Sequence, residues 1–250
     1  MIRVLGLFLV WLSVTAAGGY VETPTLADAV KANTLPPIAE RLPTVPKVET
    51  FPDPGTEAGQ HGGALNILMA KSKDVRQMVV YGYARLIGYN HALELEPDIL
   101  EKYTVQEGRI FTFYLRPGHR WSDGHPLTSD DFRYWWEDMA NNPELSPSGP
   151  PIAMVVDGQL PSVEFLDDYT IRYTWSKPNP SFIPVLAGAR PMMIFAPKHY
   201  LKQFHPRYAD PAKLEMLVTE SKRRNWASLH NRKDNAYKND NPKLPTLDPW

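Results

Sequence analysis

FTFYLRPGHRWSDGHPLTSDDFRYWWEDMANN, residues Phe111 to Asn142, changes its hydrophobic period partway along. Ile110, Thr112 and Tyr114 alternate with Phe111, Phe113 and Leu115, a β-branched and aromatic run that predicts a largely buried strand. Pro117-Gly118 ends it, and Asp123-Gly124 marks a second turn at which a positive φ costs little. Thr128 is placed as an N-cap, and Asp131 completes a T-x-x-D capping pattern. Asp130 and Asp131 also put negative charge at the positive end of the helix dipole. Phe132, Trp135, Trp136 and Met139 then recur at i, i+3, i+4 and i+7, the apolar stripe of an α-helix, with Glu137 and Asp138 on the wet face beside it. Asn141-Asn142-Pro143 stops the helix. The predicted order is strand, polar corner, capped amphipathic helix.

Immediately upstream, Gln106-Glu107-Gly108-Arg109 reads as the turn of a β-hairpin between Tyr103–Val105 and Ile110–Leu115. Downstream, Pro143, Pro147, Pro150 and Pro151 make a loop, and residues 154–159 are ambiguous. Val163–Leu166 and Tyr169–Trp175 then flank an acidic Asp167-Asp168 turn, predicting a second hairpin. Lys177-Pro178-Asn179-Pro180-Ser181-Phe182 follows, then Ala196-Pro197-Lys198-His199-Tyr200-Leu201 with Pro197 at a helix start. Nearer the N-terminus, Gly62-Gly63 opens a predicted strand over residues 61–69, and residues 75–86 read as helical or mixed. From Ala209 the chain is polar; Leu214, Leu217 and Val218 predict one more helix before NPKLPTLDPW, residues 241–250.

This ordered set resembles the family 5 extracellular solute-binding proteins, the peptide-type receptors of ABC importers. The shared features are the strand ending in Leu115-Arg116, Trp121-Ser122-Asp123-Gly124, and Pro126-Leu127-Thr128 with Asp131-Phe132. The second hairpin, the K-P-x-P-x-F run and the P-K-H segment fall where that family carries them. The resemblance covers nearly all of residues 61–250. It departs from the pattern at Glu101, where the family has a small residue. It implies an α/β, type II periplasmic-binding-protein-like clamshell, represented here by an N-terminal lobe with an inserted small domain, incomplete because family members continue past Trp250.

Composition narrows the alternatives. The net charge is −1, which argues against nucleic-acid or anionic-membrane partners. Prolines number 25 in 250 residues, about twice average usage, so fixed turns and extended connections are expected over long helices. The absence of cysteine excludes disulfides, thiolate chemistry and a lipoprotein anchor. Arg3, the apolar run Val4–Val14 and the small residues Thr15-Ala16-Ala17 read as a secretory signal over 1–17, too short for a bilayer span, and predict the periplasm. A proline-rich leader follows over 18–60, for which a surface strap and a free coil are both open readings. The resemblance then implies a first part of lobe I over 61–88, an inserted small domain over 89–158, and a return to lobe I over 159–250.

No nucleotide-binding or nucleophile-elbow motif occurs. His119, His125 and Asp123 are turn residues without metal-site spacing, so no metal or other cofactor is expected. Asp123, Asp130, Asp131, Glu137 and Asp138 offer carboxylates for a hydrolytic pair, but capping already explains Asp130 and Asp131. The resemblance implies Ser72, Lys73 and Asp74 as contacts in the ligand cleft, beside the plainer reading of a solvated turn. Trp121, Asp123, Gly124, Thr128 and Asp131 are assigned a structural role at the corner. The function it implies is a monomeric, non-enzymatic receptor that passes a peptide or other small solute to an ABC permease in the inner membrane. A secreted carboxylate-dependent hydrolase and a receptor fragment that binds nothing are the competing readings.

Overall fold

The computed structural model describes residues 19–51, 54–64, 66–71, 74, 84–235 and 241–247. The expected signal over 1–17 lies outside them. The chain divides into two units, one ending at Arg41 and one beginning at Leu42. In the first, a 3-10 turn (Pro24–Leu26) leads into α1 (Ala27–Lys31), and α2 (Ile38–Arg41) follows. These helices bury no residue. The Glu22 carboxylate organises them, accepting from the Thr23 and Ile38 amides and pairing with Arg41.

In the second unit β1 (Ile87–Tyr89) and β2 (Leu95–Pro97) form a small antiparallel ribbon. β3 (Leu100–Gln106), β4 (Ile110–Leu115), β5 (Ser162–Asp167) and β6 (Thr170–Thr174) form an antiparallel sheet in the order β3-β4-β6-β5. The predicted strand at 110–115 is therefore central, paired on both sides. Phe111, Phe113 and Leu115 point to the core, as do Ile171 and Tyr173 of β6. Onto that face packs α4 (Phe182–Ala187). The Phe182 ring lies 4.7–5.7 Å from those of Phe111, Phe113, Tyr173 and Trp175. The opposite face is polar, with Lys102 over the Tyr114 ring and Arg172 beside Glu164.

Both hairpins form. Glu107 and Gly108 take φ of 53° and 64°, the pair of positive values that a type I′ turn requires. At the second hairpin β5 runs through Asp167, so the two turn residues are Asp168 and Tyr169. The Asp167 carboxylate braces that turn by accepting from the Tyr169 amide at 2.8 Å. The ambiguous stretch 154–159 closes as a tight turn, with Asp157 at φ 50° and Gly158 at φ 75°. Because β6 pairs with β4, the boundary expected between 158 and 159 runs between strands of one sheet.

Three expectations need correction. The described part of 61–69 forms no strand; Ile67 and Leu68 are exposed, and a strand needs a neighbouring backbone to complete its ladder. The single α-helix after Thr128 is two windings: α3 (Ser129–Arg133), then a π-helix (Tyr134–Ala140). Phe132, Trp135 and Met139 are buried, but the wider winding also buries Tyr134 and Asp138, so Asp138 is not on a wet face. Beyond α5 (Lys198–Leu201), two helices occur where one was predicted: α6 (Pro211–Glu220) and α7 (Trp226–Lys233). Asp210 caps α6 by accepting from the Lys213 amide, and Asn225 caps α7 by accepting from that of Ser228.

The leader resolves in part as a strap. The Thr44 amide donates to the Pro117 carbonyl at 2.9 Å, and Arg116 donates to the carbonyls of Val45 and Asp98. Lys47 reaches Glu96 on β2 at 2.8 Å.

Candidate functional site

Of the residues implied as cleft contacts, Ser72 and Lys73 lie outside the described residues. Asp74 makes a local turn, its carboxylate accepting from the Lys71 amide at 3.0 Å.

The described residues assemble the corner. Trp121 and His125 close it through a 2.8 Å backbone bond, and Gly124 sits at φ 86°, the left-handed conformation that glycine adopts without strain. Asp123 accepts from the His125 amide through one oxygen and from His199 Nε2 through the other, at 2.8 Å. The His125 and His199 rings stack with centroids 3.9 Å apart. Thr128 and Asp131 form the reciprocal capping box, the Thr128 hydroxyl facing the first-turn amides.

Asp131 does more than cap. It is 3% exposed, and its carboxylate also accepts from Trp121 Nε1 at 3.1 Å and from the Lys198 amide at 3.2 Å. Removal from water outweighs those donors and pushes its pKa up to about 6. Three segments thus meet on one carboxylate: the corner, the start of α3 and the start of α5. A fourth is added by residues 241–247, since the Ser122 amide donates to the Thr246 carbonyl and the Thr246 amide to the Ser122 hydroxyl. Neither His199 nor Thr246 was assigned a role from sequence. Both lie in segments whose motifs were visible, P-K-H and N-P-x-L-P-T, but proximity across the fold has no local signal.

A second buried polar cluster joins the π-helix to the α6–α7 region. Asp138, 4% exposed, accepts from Tyr208 at 2.5 Å and Arg207 at 2.8 Å. Tyr134 and His230 share a 2.7 Å hydrogen bond in the core. Burial, with His205 nearby, holds the His230 pKa down at about 3, and burial raises the Tyr134 hydroxyl far above its ordinary value. His119, at the other end of the corner, is likewise held near 4 by burial and by Arg116.

Neither cluster has the form of a reaction centre. Asp131 and Asp138 are committed to protein donors, and Asp123 is committed to His125 and His199. Among the described residues no three His, Cys, Asp or Glu side chains converge as metal ligands, and no helix is long and apolar enough to cross a membrane. What the corner does is physical: it locks distant segments into one rigid joint.

Comparison with known proteins matches that arrangement. The profile of bacterial extracellular solute-binding proteins, family 5 Middle, matches residues 94–249. The periplasmic oligopeptide-binding protein OppA of Salmonella typhimurium is 31% identical over 144 residues, 52% of this chain and 26% of that protein. The periplasmic alpha-galactoside-binding protein of Rhizobium meliloti is 28% identical over 199 residues, 72% of this chain and 28% of that one. A solved structure of an oligopeptide-binding protein OppA superposes with a TM-score of 0.79 at 33% identity, over 94% of this chain and 36% of that chain. The chain thus spans about a quarter to a third of the length of these relatives. With the strand, corner, capped helix and second hairpin all inside the matched region, this chain belongs to the family 5 bacterial extracellular solute-binding proteins.

Proposed function

We propose that this chain forms the N-terminal portion of a periplasmic receptor that captures a peptide-like solute and delivers it to an ABC permease in the inner membrane. The observation that carries the reading is the family match over residues 94–249, together with the superposition on an oligopeptide-binding protein. Binding proteins of this family work without covalent chemistry. Capture rests on lobe closure, in which ligand stabilises the closed state by touching both lobes. The rigid joint at Asp131 suits that task, because closure by rigid bodies needs lobes that do not deform. The peptide class follows the OppA relatives, and the alpha-galactoside-binding relative supports oligosaccharides as the second class to try.

In the same reading residues 1–17 direct export, and Ser72, Lys73 and Asp74 line the cleft. The domain plan keeps 61–88 in lobe I but assigns 89–175 to the inserted domain, since β6 belongs with β4.

Thermal unfolding of the purified chain with and without a pool of tri- to pentapeptides tests capture. Ligand that binds only the native state raises the midpoint, by an amount that grows with concentration. A rise that Lys73→Ala and Asp74→Asn diminish supports the cleft assignment; a midpoint unmoved by millimolar peptide sinks binding by this portion. Delivery is tested separately: disrupting the gene should abolish uptake of a radiolabelled peptide, and undiminished uptake of every class tried overturns the transport role.

A further inference from the structure

On the α6–α7 side of the chain lies a groove lined by Pro206, Pro211, Leu214, Glu215, Val218 and Trp226, with a volume of about 290 Å³. That is room for one or two side chains, at the lower end of ligand-pocket sizes. Its walls are apolar, with one charged side chain among the described lining residues, Glu215. Glu215 makes no ion pair or hydrogen bond with any described residue. A second carboxylate, Glu144, sits at the indole edge of Trp226, accepting from Nε1 at 2.9 Å. Arg207 is held by Asp138, and Lys213 lies about 200° round α6 from Glu215. An aromatic wall, apolar floor and unpaired carboxylate at the rim together complement an organic cation on an apolar stem.

We propose that this groove is a docking slot for the arginine or lysine side chain of a peptide segment, its stem against Leu214 and Val218 and its charged head between Trp226 and Glu215. The slot is defined by the groove's own residues and does not depend on the transport reading. A neutral polar side chain of the same shape gains the apolar contact but neither the carboxylate nor the cation–π interaction. For partly exposed groups the two together are worth roughly 3- to 10-fold in affinity.

The test uses the 250-residue chain and two capped tripeptides, acetyl-Pro-Arg-Leu-amide and its citrulline counterpart. Binding is followed by the indole N–H resonance of Trp226, assigned by its loss in Trp226→Phe. The arginine peptide is expected to shift that resonance with a millimolar dissociation constant, about 5-fold tighter than the citrulline peptide. Glu215→Gln should erase the difference between the two, and Val218→Trp, which fills the groove, should abolish both. Equal binding of the two peptides to the wild type overturns the proposal, as does a Trp226 resonance unmoved by either. A shift that appears on raising protein concentration alone gives the groove to a second copy of the chain and also overturns it. Peptide binding that leaves Trp226 unmoved but stabilises the chain reports the solute cleft, so the two readings fail independently.

Discussion

Asp131 shows how far one residue's role extends beyond its local motif. The T-x-x-D spacing revealed the cap, because a capping box is closed within one turn. The donors from Trp121 and Lys198 arrive from 10 and 67 residues away and leave no trace in the sequence nearby. The predicted consequence is specific. In Asp131→Asn one carboxylate oxygen becomes an N–H₂ group facing a buried donor, and the change should cost about 1–3 kcal/mol in urea denaturation at pH 7.5. A loss below about 0.5 kcal/mol, less than an ordinary cap is worth, would show that the fold does not depend on this carboxylate. Glycines at similar φ separate backbone strain from packing. Gly124 (φ 86°) opens onto free space, whereas a Cβ on Gly118 (φ 83°) would stand 3.4 Å from the strap amide of Thr44. Both alanine variants should lose about 1–2 kcal/mol. Because 3.4 Å is an ordinary contact, neither variant should speed tryptic cleavage at Lys47, and faster cleavage in Gly118→Ala alone would show that the added methyl unseats the strap.

Among the elements, the sheet was the most legible and the helices the least. Alternating runs with Gly- or Asp-bearing turns specify hairpins locally, so β3–β4 and β5–β6 could be read directly. The joining of those hairpins through β4 and β6 could not, since nothing in either run names its second neighbour. The apolar stripe after Thr128 was read with α-helical spacing and missed Tyr134 and Asp138, because π winding is set by tertiary contacts such as the Tyr134–His230 bond. The second C-terminal helix was hidden by polar composition, although Asn225 is a good N-cap. Phe182 is the keystone of the sheet-to-helix contact. Phe182→Ala should cost about 3–5 kcal/mol by chemical denaturation, while Phe182→Leu, which keeps most of the volume, should cost clearly less. The outer strands are blunted in two ways: each has a register irregularity, at Leu100/Lys102 and at Phe165/Asp167, and each carries exposed charge. Both devices discourage edge-to-edge pairing with another chain.

At the scale of the molecule, buried titratable groups pull stability in opposite directions with pH. His230 and His119 stay neutral in the fold, so below about pH 6.5 the unfolded chain takes up protons that the native state refuses, and stability falls on acidification. Asp131 and Asp234, with pKa values raised to about 6 and about 7 by burial, hold protons that the unfolded chain releases, and their contribution falls as pH rises from about 4. Comparison of His230→Gln with the wild type isolates one group. The variant's destabilisation at pH 7.5 should shrink by about 1.4 kcal/mol per pH unit between about pH 6 and pH 4. A destabilisation constant across that range would show that His230 is not held neutral. Family membership was legible because its motifs form a long ordered series. The pairing of Ser122 with Thr246 has a consequence in time. A chain made from its N-terminus presents the tryptophan corner well over a hundred residues before the segment that pairs with it. Until Thr246 emerges, the Ser122 amide and hydroxyl are left to water, so this clasp closes over a joint whose other parts were made long before.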